Sequence, residues 1–457
     1  MGIVRGILSN GLANIVQKLV RIADQLLLVP FFLTHWGAAT YGEWLTLTII
    51  PSVLAFSDLG LGAAVGNSFT LAYAAGDKQK AADIKRSGFL IVTLSIALGV
   101  LISVIAMVVF VQTGVFDNSC IKPDDAAFAL ILMMAAKLFS FYNQFVDGYF
   151  RAARRAALGT FIMSGMNILG VIVGIIVLQL GFGVVAFALS QFFSNVTQTS
   201  LSLFIGNRMI SLDGYKGKIK RDDIVIMTKK GFGFMMDPIW RSIYFQGTTF
   251  AVRLALGAES VAVFNTVRTV CRSVSQIFYV INASIFPDLQ YEYGCGNISA
   301  VHKFFRISVI VSLAIGVCGF VVLSIWGLDI YDWWTHSLLT VPRNVWTVFL
   351  IGVLFNAVWW TSSVAYRITN KPFHFAIVST SMAAVSVLLT YFLAVEWGLW
   401  GAALGNVVFE IILAVIVLPD TCKLLGMSLS AMFLNVKGDF KDIRTKLLDG
   451  RGRTRKC

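Results

Sequence analysis

Apolar runs of membrane-crossing length recur from one end of the chain to the other. A transmembrane helix needs about 20 mainly apolar residues. Runs of that kind cover 8–33, 42–73, 88–112, 126–150, 157–180, 183–205, 231–255, 260–287, 304–327, 344–366, 373–395 and 398–420. The pattern predicts an all-α, polytopic membrane protein of about twelve transmembrane helices. Two of the runs are over-long, which predicts tilt or kinks. Pro30, Pro51 and Pro238 are candidate kink sites, because proline removes a backbone donor.

The loops between the runs alternate in charge. One set carries Lys78, Lys80, Lys85 and Arg86, then Arg151, Arg154 and Arg155, then the basic stretch 206–230. Lys303 with Arg306, and Arg367 with Lys371, complete it. The other set is poor in Lys and Arg and carries Glu43, Asp117, Asp124, Asp125, Glu259, Asp329, Asp332 and Glu396. The positive-inside rule puts the basic loops and both termini in the cytoplasm, which requires an even helix count. Composition agrees, since 57% of the 457 residues are hydrophobic and only 13% charged; a soluble protein carries roughly 25%. The net charge of +13 sits in short stretches between apolar runs. A nucleic-acid binder would set its Lys and Arg among polar residues, so the expected partner is the membrane and not nucleic acid.

The two halves read as a repeat. A shift of 220 residues places Gly11 on Gly231, Arg21 on Arg241, Gly37 on Gly257, Tyr73 on Tyr293, Gly76 on Gly296, Arg86 on Arg306 and Gly99 on Gly319. Arg151 then matches Arg367, and Gly181 matches Gly398, with small indels. The matches fall at helix ends and loops. They predict an N-terminal six-helix bundle over 1–205, a cytoplasmic linker over 206–230, a C-terminal six-helix bundle over 231–420 and a basic cytoplasmic tail over 421–457. Six helices per half is even, so the halves share one topology, related by an axis along the membrane normal with a site between them.

Charge inside the apolar runs is the functional signal. The first helix carries Asn10, Asn14, Gln17, Lys18, Arg21, Asp24 and Gln25, a spacing of three or four that makes one stripe. A charge at the bilayer centre costs roughly 2.5–3.5 kcal/mol on insertion scales, so the stripe faces protein or a wet cavity. The eighth helix repeats the pattern with Asn265, Arg268, Arg272, Gln276 and Asn282, the seventh has Asp237, Arg241, Tyr244 and Thr248, and the second has Asp58. The substrate-binding candidates are Lys18, Arg21, Arg241, Arg268 and Arg272; Asp24, Asp58 and Asp237 are the candidates for coupling to a proton or sodium ion. The plain alternative is internal pairing of Arg21 with Asp24 and of Arg241 with Asp237 at helical neighbour spacing. It leaves cations in excess, and arginine's planar fork suits a phosphate. Lys137 and Glu410 lie outside these four helices and read equally well as structural pairs.

Other chemistry is absent from the pattern. No G-x-x-x-x-G-K-[ST] loop is present, so ATP hydrolysis is excluded. His35, His302, His336 and His374 are scattered without metal-ligand spacing, and no nucleophile–base constellation stands out. A transporter with no cofactor and no metal is expected, rather than an enzyme. The six cysteines are divided among an outer loop, apolar runs and basic stretches, and no disulfide is expected.

The segment THWGAATYGEW, Thr34 to Trp44, with FSDLGLGAAVGN, Phe56 to Asn67, resembles the polysaccharide transporter family. These are Wzx-type flippases of the multidrug/oligosaccharidyl-lipid/polysaccharide (MOP) exporter superfamily, and GLWGAALGN, Gly398 to Asn406, is similar to the family's last helix. The resemblance implies two six-helix bundles around a cationic cavity, working by alternating access in a bacterial inner membrane. It implies a substrate of undecaprenyl pyrophosphate carrying an oligosaccharide such as an O-antigen unit, and polysaccharide polymerase or assembly proteins as partners. By position in the family pattern, Lys18, Arg21, Asp58, Arg268 and Arg272 would line the cavity. Three readings compete: a cation-coupled multidrug exporter, which would want an acidic cavity; a lipid II flippase, which usually has two further C-terminal helices; and a non-transporting scaffold, which would not need charged stripes.

Overall fold

In lipid every backbone donor must find its acceptor inside the protein, which leaves helices as the natural form for such apolar runs. The computed structural model describes residues 2–58, 60–113, 119–212, 214–369 and 371–434. No strand occurs among the described residues. Each of the expected spans falls on helix. In the first half these are α1 (Gly2–Leu47), α2 (Ile49–Leu54), α3 (Leu61–Ala74), α4 (Lys78–Thr113), α5 (Pro123–Phe139), α6 (Phe141–Ala152), α7 (Ala156–Gln179) and α8 (Val184–Met209). In the second half they are α9 (Arg221–Ser242), α10 (Thr248–Leu256), α11 (Ala258–Gly294), α12 (Ile298–Ile325), α13 (Gly327–Trp334), α14 (Arg343–Ser362), α15 (Val364–Ile368), α16 (Pro372–Leu424) and α17 (Ala431–Leu434). Among the described residues, six helical stretches are long and apolar enough to cross a membrane by length and composition, including Lys78–Val109, Ala156–Gln179 and Phe373–Leu424. The helices that fall outside that group include α1 and α11, which carry the polar stripes.

Glycine, not proline, makes the sharp corners. Proline 30 lies inside α1, but the non-helical residue there is Gly37, at φ 77° and ψ 171°. Its expected equivalent, Gly257, ends α10 at φ 84° and ψ −180°. That region of backbone space is essentially glycine-only. Two further expected pairs, Gly76 with Gly296 and Gly181 with Gly398, also share positive φ. Three of the expected glycine pairs thus share a left-handed backbone at the turns between helices.

The chain divides into two compact units, Met1–Ser242 and Ile243–Cys457. The division lies in the seventh helical segment, where the α-helix gives way to a π-helical turn over Ile243–Gly247. In the first unit a core forms around Val65, Phe69, Phe145 and Tyr149, where α3, α4 and α6 meet. In the second, Phe305, Val309, Val364 and Leu289 join α11, α12 and α15.

The basic linker is tied to the first unit. Asp83 of α4 is buried and binds Lys220 Nζ at 2.5 Å, accepts the Lys218 N–H at 2.8 Å and accepts from Gln79 Nε2 at 3.0 Å. Arg86 donates to the Gly217 carbonyl at 3.0 Å. A Cβ at Gly217 would sit 2.2 Å from the Ala82 carbonyl oxygen, so only glycine lets the linker lie this close. The Asp83 carboxylate holds the Lys220 ammonium above its ordinary 10.5.

The cysteines depart from expectation. Cys120, Cys271, Cys318 and Cys422 are free, but Cys295 is disulfide-bonded. Loop-side assignment, the sole basis of the expectation, does not report which thiols meet in space.

Candidate functional site

In the second unit, α11 presents Asn265, Arg268 and Arg272 on one face, as their spacing requires. Arg268 is only 8% exposed. Its Nη1 donates to Thr248 Oγ1 at 2.9 Å, and its Nη2 donates to Thr249 Oγ1 at 2.7 Å and to Asn265 Oδ1. All three acceptors are neutral. A guanidinium has five N–H donors, so two of Arg268's remain for another acceptor. The Phe264 and Phe245 rings flank its Cζ at 5.1 and 5.4 Å, and Arg272 Cζ lies 4.1 Å from the Phe245 ring centre. The two arginines therefore share one aromatic face.

Glu410 of α16 supplies the one carboxylate lining this pocket. Its Oε2 accepts from Trp359 Nε1 at 2.6 Å and Asn356 Nδ2 at 2.9 Å, and its Oε1 from Tyr244 at 3.0 Å. Arg272 lies within its electrostatic reach. The expectation gave Glu410 no stronger claim to function than to structure; it stands beside the arginines instead. Trp359, distant along the chain from every substrate-binding candidate, serves as one of its hydrogen-bond donors. Two buried amide atoms at the same pocket, Asn356 Oδ1 and Asn406 Nδ2, have no partner. The cavity is about 50 Å³, against roughly 300 Å³ or more for a typical ligand site. Entry of a substrate group here requires side chains to move.

In the first unit, Arg21, Asp24 and Gln25 of α1 line a groove of about 310 Å³ with Asn167 of α7 and Gln191, Ser194, Asn195 and Gln198 of α8. A neighbouring cavity of about 380 Å³ shares Asp24, Gln191 and Asn195 and adds Lys137, Phe32, Trp44 and Phe187. Arg21 and Asp24 meet at the groove without a salt bridge between them, so the neighbour-pairing alternative does not describe them. Lys18 is half-buried on α1 and does not line either cavity.

The remaining candidates lie elsewhere. Asp58 is buried at the end of a 3₁₀ turn, and its Oδ1 accepts the Gly62 N–H at 3.2 Å at the start of α3. The N-cap residue of α3 is Gly60, and Asp58, two residues earlier, satisfies one of the free N–H groups of the first turn, with Lys137 as a cationic influence on it. Arg241 stacks on Trp240, Cζ to ring centre 4.7 Å, at the end of the first unit. The side chains of Asp237, Asn10 and Asn14, and the whole of Asp117, lie outside the described residues.

The family described as "Polysaccharide biosynthesis protein" matches residues 3–290. Comparison with curated proteins gives no match. Among solved structures, the chain is similar to an inward-facing multidrug resistance MATE family transporter of the MOP superfamily. The TM-score is 0.68 and the identity 16%, over 90% of this chain and 94% of that one. A MATE structure in complex with MaL6 gives a TM-score of 0.60 at 16% identity, over 92% and 96% of the two chains. A MOP superfamily transporter from Pyrococcus furiosus, whose reverse pocket polarity suggests a different function for it, gives 0.57 at 17%, over 93% and 95%. At such identities the likeness carries the fold alone. With the family match spanning more than half its length, the chain belongs to the polysaccharide biosynthesis protein family, built as a polytopic membrane protein on the MOP transporter fold.

Proposed function

We propose that this protein is a flippase that moves undecaprenyl-pyrophosphate-linked oligosaccharide, an O-antigen or similar repeat unit, across the bacterial inner membrane. The observation that carries the reading is the Arg268–Arg272 pair. Two guanidinium groups share one face of α11, and those of Arg268 are held by neutral oxygens, with a single carboxylate nearby. A desolvated pyrophosphate needs cations of this kind, and a bidentate fork supplies direction as well as charge. A drug exporter for cationic substrates would want the opposite sign. Lys18, Arg21 and Arg241 are further substrate contacts in this reading. Transport proceeds by alternating access, with both termini in the cytoplasm.

Coupling to a proton or sodium gradient is part of the proposal, through Asp24, Asp58 or Asp237. Asp24 has the strongest support, because it lines a polar groove, whereas the Asp58 contact to Gly62 satisfies a helix end. Partners would be the polymerase and assembly proteins that receive the exported unit.

Deletion of the gene is expected to trap lipid-linked oligosaccharide on the inner leaflet, read by protection from an externally added glycosidase. Arg268→Ala with Arg272→Ala, at normal membrane abundance, is expected to reproduce the block. Wild-type export by that double variant would remove the arginine pair from the mechanism.

A further inference from the structure

The first unit holds a polar surface with no structural use. On α8, Gln191, Ser194, Asn195 and Gln198 recur every three or four residues and so form one stripe. Asn167 of α7 and Gln25 of α1 face it across the groove. Asn195 Nδ2 donates to the Gln191 backbone carbonyl at 2.8 Å, which leaves its own carbonyl free. Among the described residues, the side chains of Gln25, Asn167, Gln191 and Gln198 make no hydrogen bond to protein. Gln25 is exposed and Asn167, Gln191 and Asn195 are half-buried, so these amides open onto the groove with their donors and acceptors available to water or to a polar ligand.

Close packing holds the stripe in place. Gly170 and Gly174 make a G-x-x-x-G ridge on α7, the spacing that lets membrane helices approach. A Cβ at Gly170 would lie 2.8 Å from Ser194 Oγ, and one at Gly174 2.9 Å from the Phe187 ring. The α8 stripe is thus seated against α7 by the absence of side chains there.

The chemistry of the groove selects its occupant. A primary amide both donates and accepts, as does each hydroxyl or acetamido group of a sugar. Arg21 and Asp24 carry opposite charges and Lys137 stands in the adjoining cavity, so the groove is set apart by its amides and not by one sign of charge. The adjoining cavity adds the apolar faces of Phe32, Trp44 and Phe187, and its volume suits a small ligand. We propose that the amide groove of α1, α7 and α8 is the glycan site of this transporter, taking a neutral, hydroxyl-rich sugar unit. This rests on the flippase reading and adds to it a place within the first unit for the sugar part of that substrate.

The test uses the full chain in lipid nanodiscs and soluble short-chain probes. These are bare farnesyl pyrophosphate and farnesyl pyrophosphate bearing N-acetylglucosamine, galactose or rhamnose. In wild type, at least one glycosylated probe is expected to bind about tenfold more tightly than the bare one, the contribution of one or two net hydrogen bonds. Gln191→Leu with Gln198→Leu is expected to abolish that preference while leaving bare-probe affinity unchanged. Removing unpartnered amides from a membrane bundle should not lower the thermal midpoint, so folding is preserved; Asn167→Ala gives an independent variant, and Gln191→Asn should retain part of the preference. Binding of the bare probe with no sugar preference in wild type, or a preference that survives the double substitution, overturns the glycan site alone. A variant that keeps the sugar preference but loses a sodium or pH response also overturns it. Absence of binding by every probe, bare included, overturns the flippase reading as well.

Discussion

Glu410 is the residue whose removal should be felt most. It draws donors from Tyr244, Asn356 and Trp359 and stands close to Arg272. Deleting one partner of a buried charge cluster leaves the other uncompensated, at a cost of roughly 3–5 kcal/mol. Glu410→Ala is therefore expected to lower the thermal midpoint of the detergent-purified protein sharply. Adding Arg272→Gln should recover part of the loss, since the residues are coupled, and a double-mutant cycle would measure that coupling directly. Simple additivity of the two substitutions would show that they do not interact. The cluster was hard to see beforehand for a physical reason. Its members come from positions 244, 356, 359 and 410, so no local spacing joins them. The α8 amides escaped notice differently, because Gln, Asn and Ser lower the apolarity of a run only slightly, whereas the charges of α1 and α11 interrupt it visibly.

At the scale of elements, the periodicities of helices were the legible part. Long apolar runs gave helices where they were expected, and the stripes at Lys18–Gln25 and Asn265–Arg272 emerged from the three-and-four spacing. Corners were less legible, because proline 30 suggested a break that Gly37 makes instead. A Cβ at Gly37 or Gly257 would meet nothing within 4 Å, so the cost of alanine there is backbone strain alone, roughly 1–3 kcal/mol. Gly37→Ala and Gly257→Ala are expected to lower the thermal midpoint by similar amounts. Gly165→Ala, in open space inside α7, should hold or raise it, since alanine favours helix over glycine by about 0.5–1 kcal/mol. Equal behaviour of all three variants would refute the strain argument.

For the whole molecule, the repeat makes a prediction about orientation. Six expected spans in each half, with basic loops on one side, would put both ends of the chain in the cytoplasm. A reporter active only outside the cytoplasm is expected to be silent when fused after Leu434 and active when inserted near Glu396. The reverse pattern would overturn that topology. The last consequence belongs to the linker strap. A stretch with Lys216, Lys218, Lys220 and Arg221 ought to be a preferred target for trypsin, yet cleavage requires the backbone to leave its partners and enter the protease extended. With Asp83 gripping Lys218 and Lys220, the native chain is expected to be cut slowly there, and Asp83→Asn to be cut several-fold faster. Because Asp83 raises the Lys220 ammonium above 10.5 and the Asp83 carboxyl is itself held below 3.8, the grip fails only in solution more alkaline than the first value or more acidic than the second. Resistance should accordingly be flat from roughly pH 6 to 9, and the strap doubles as a shield for a stretch whose basic residues would otherwise invite cleavage.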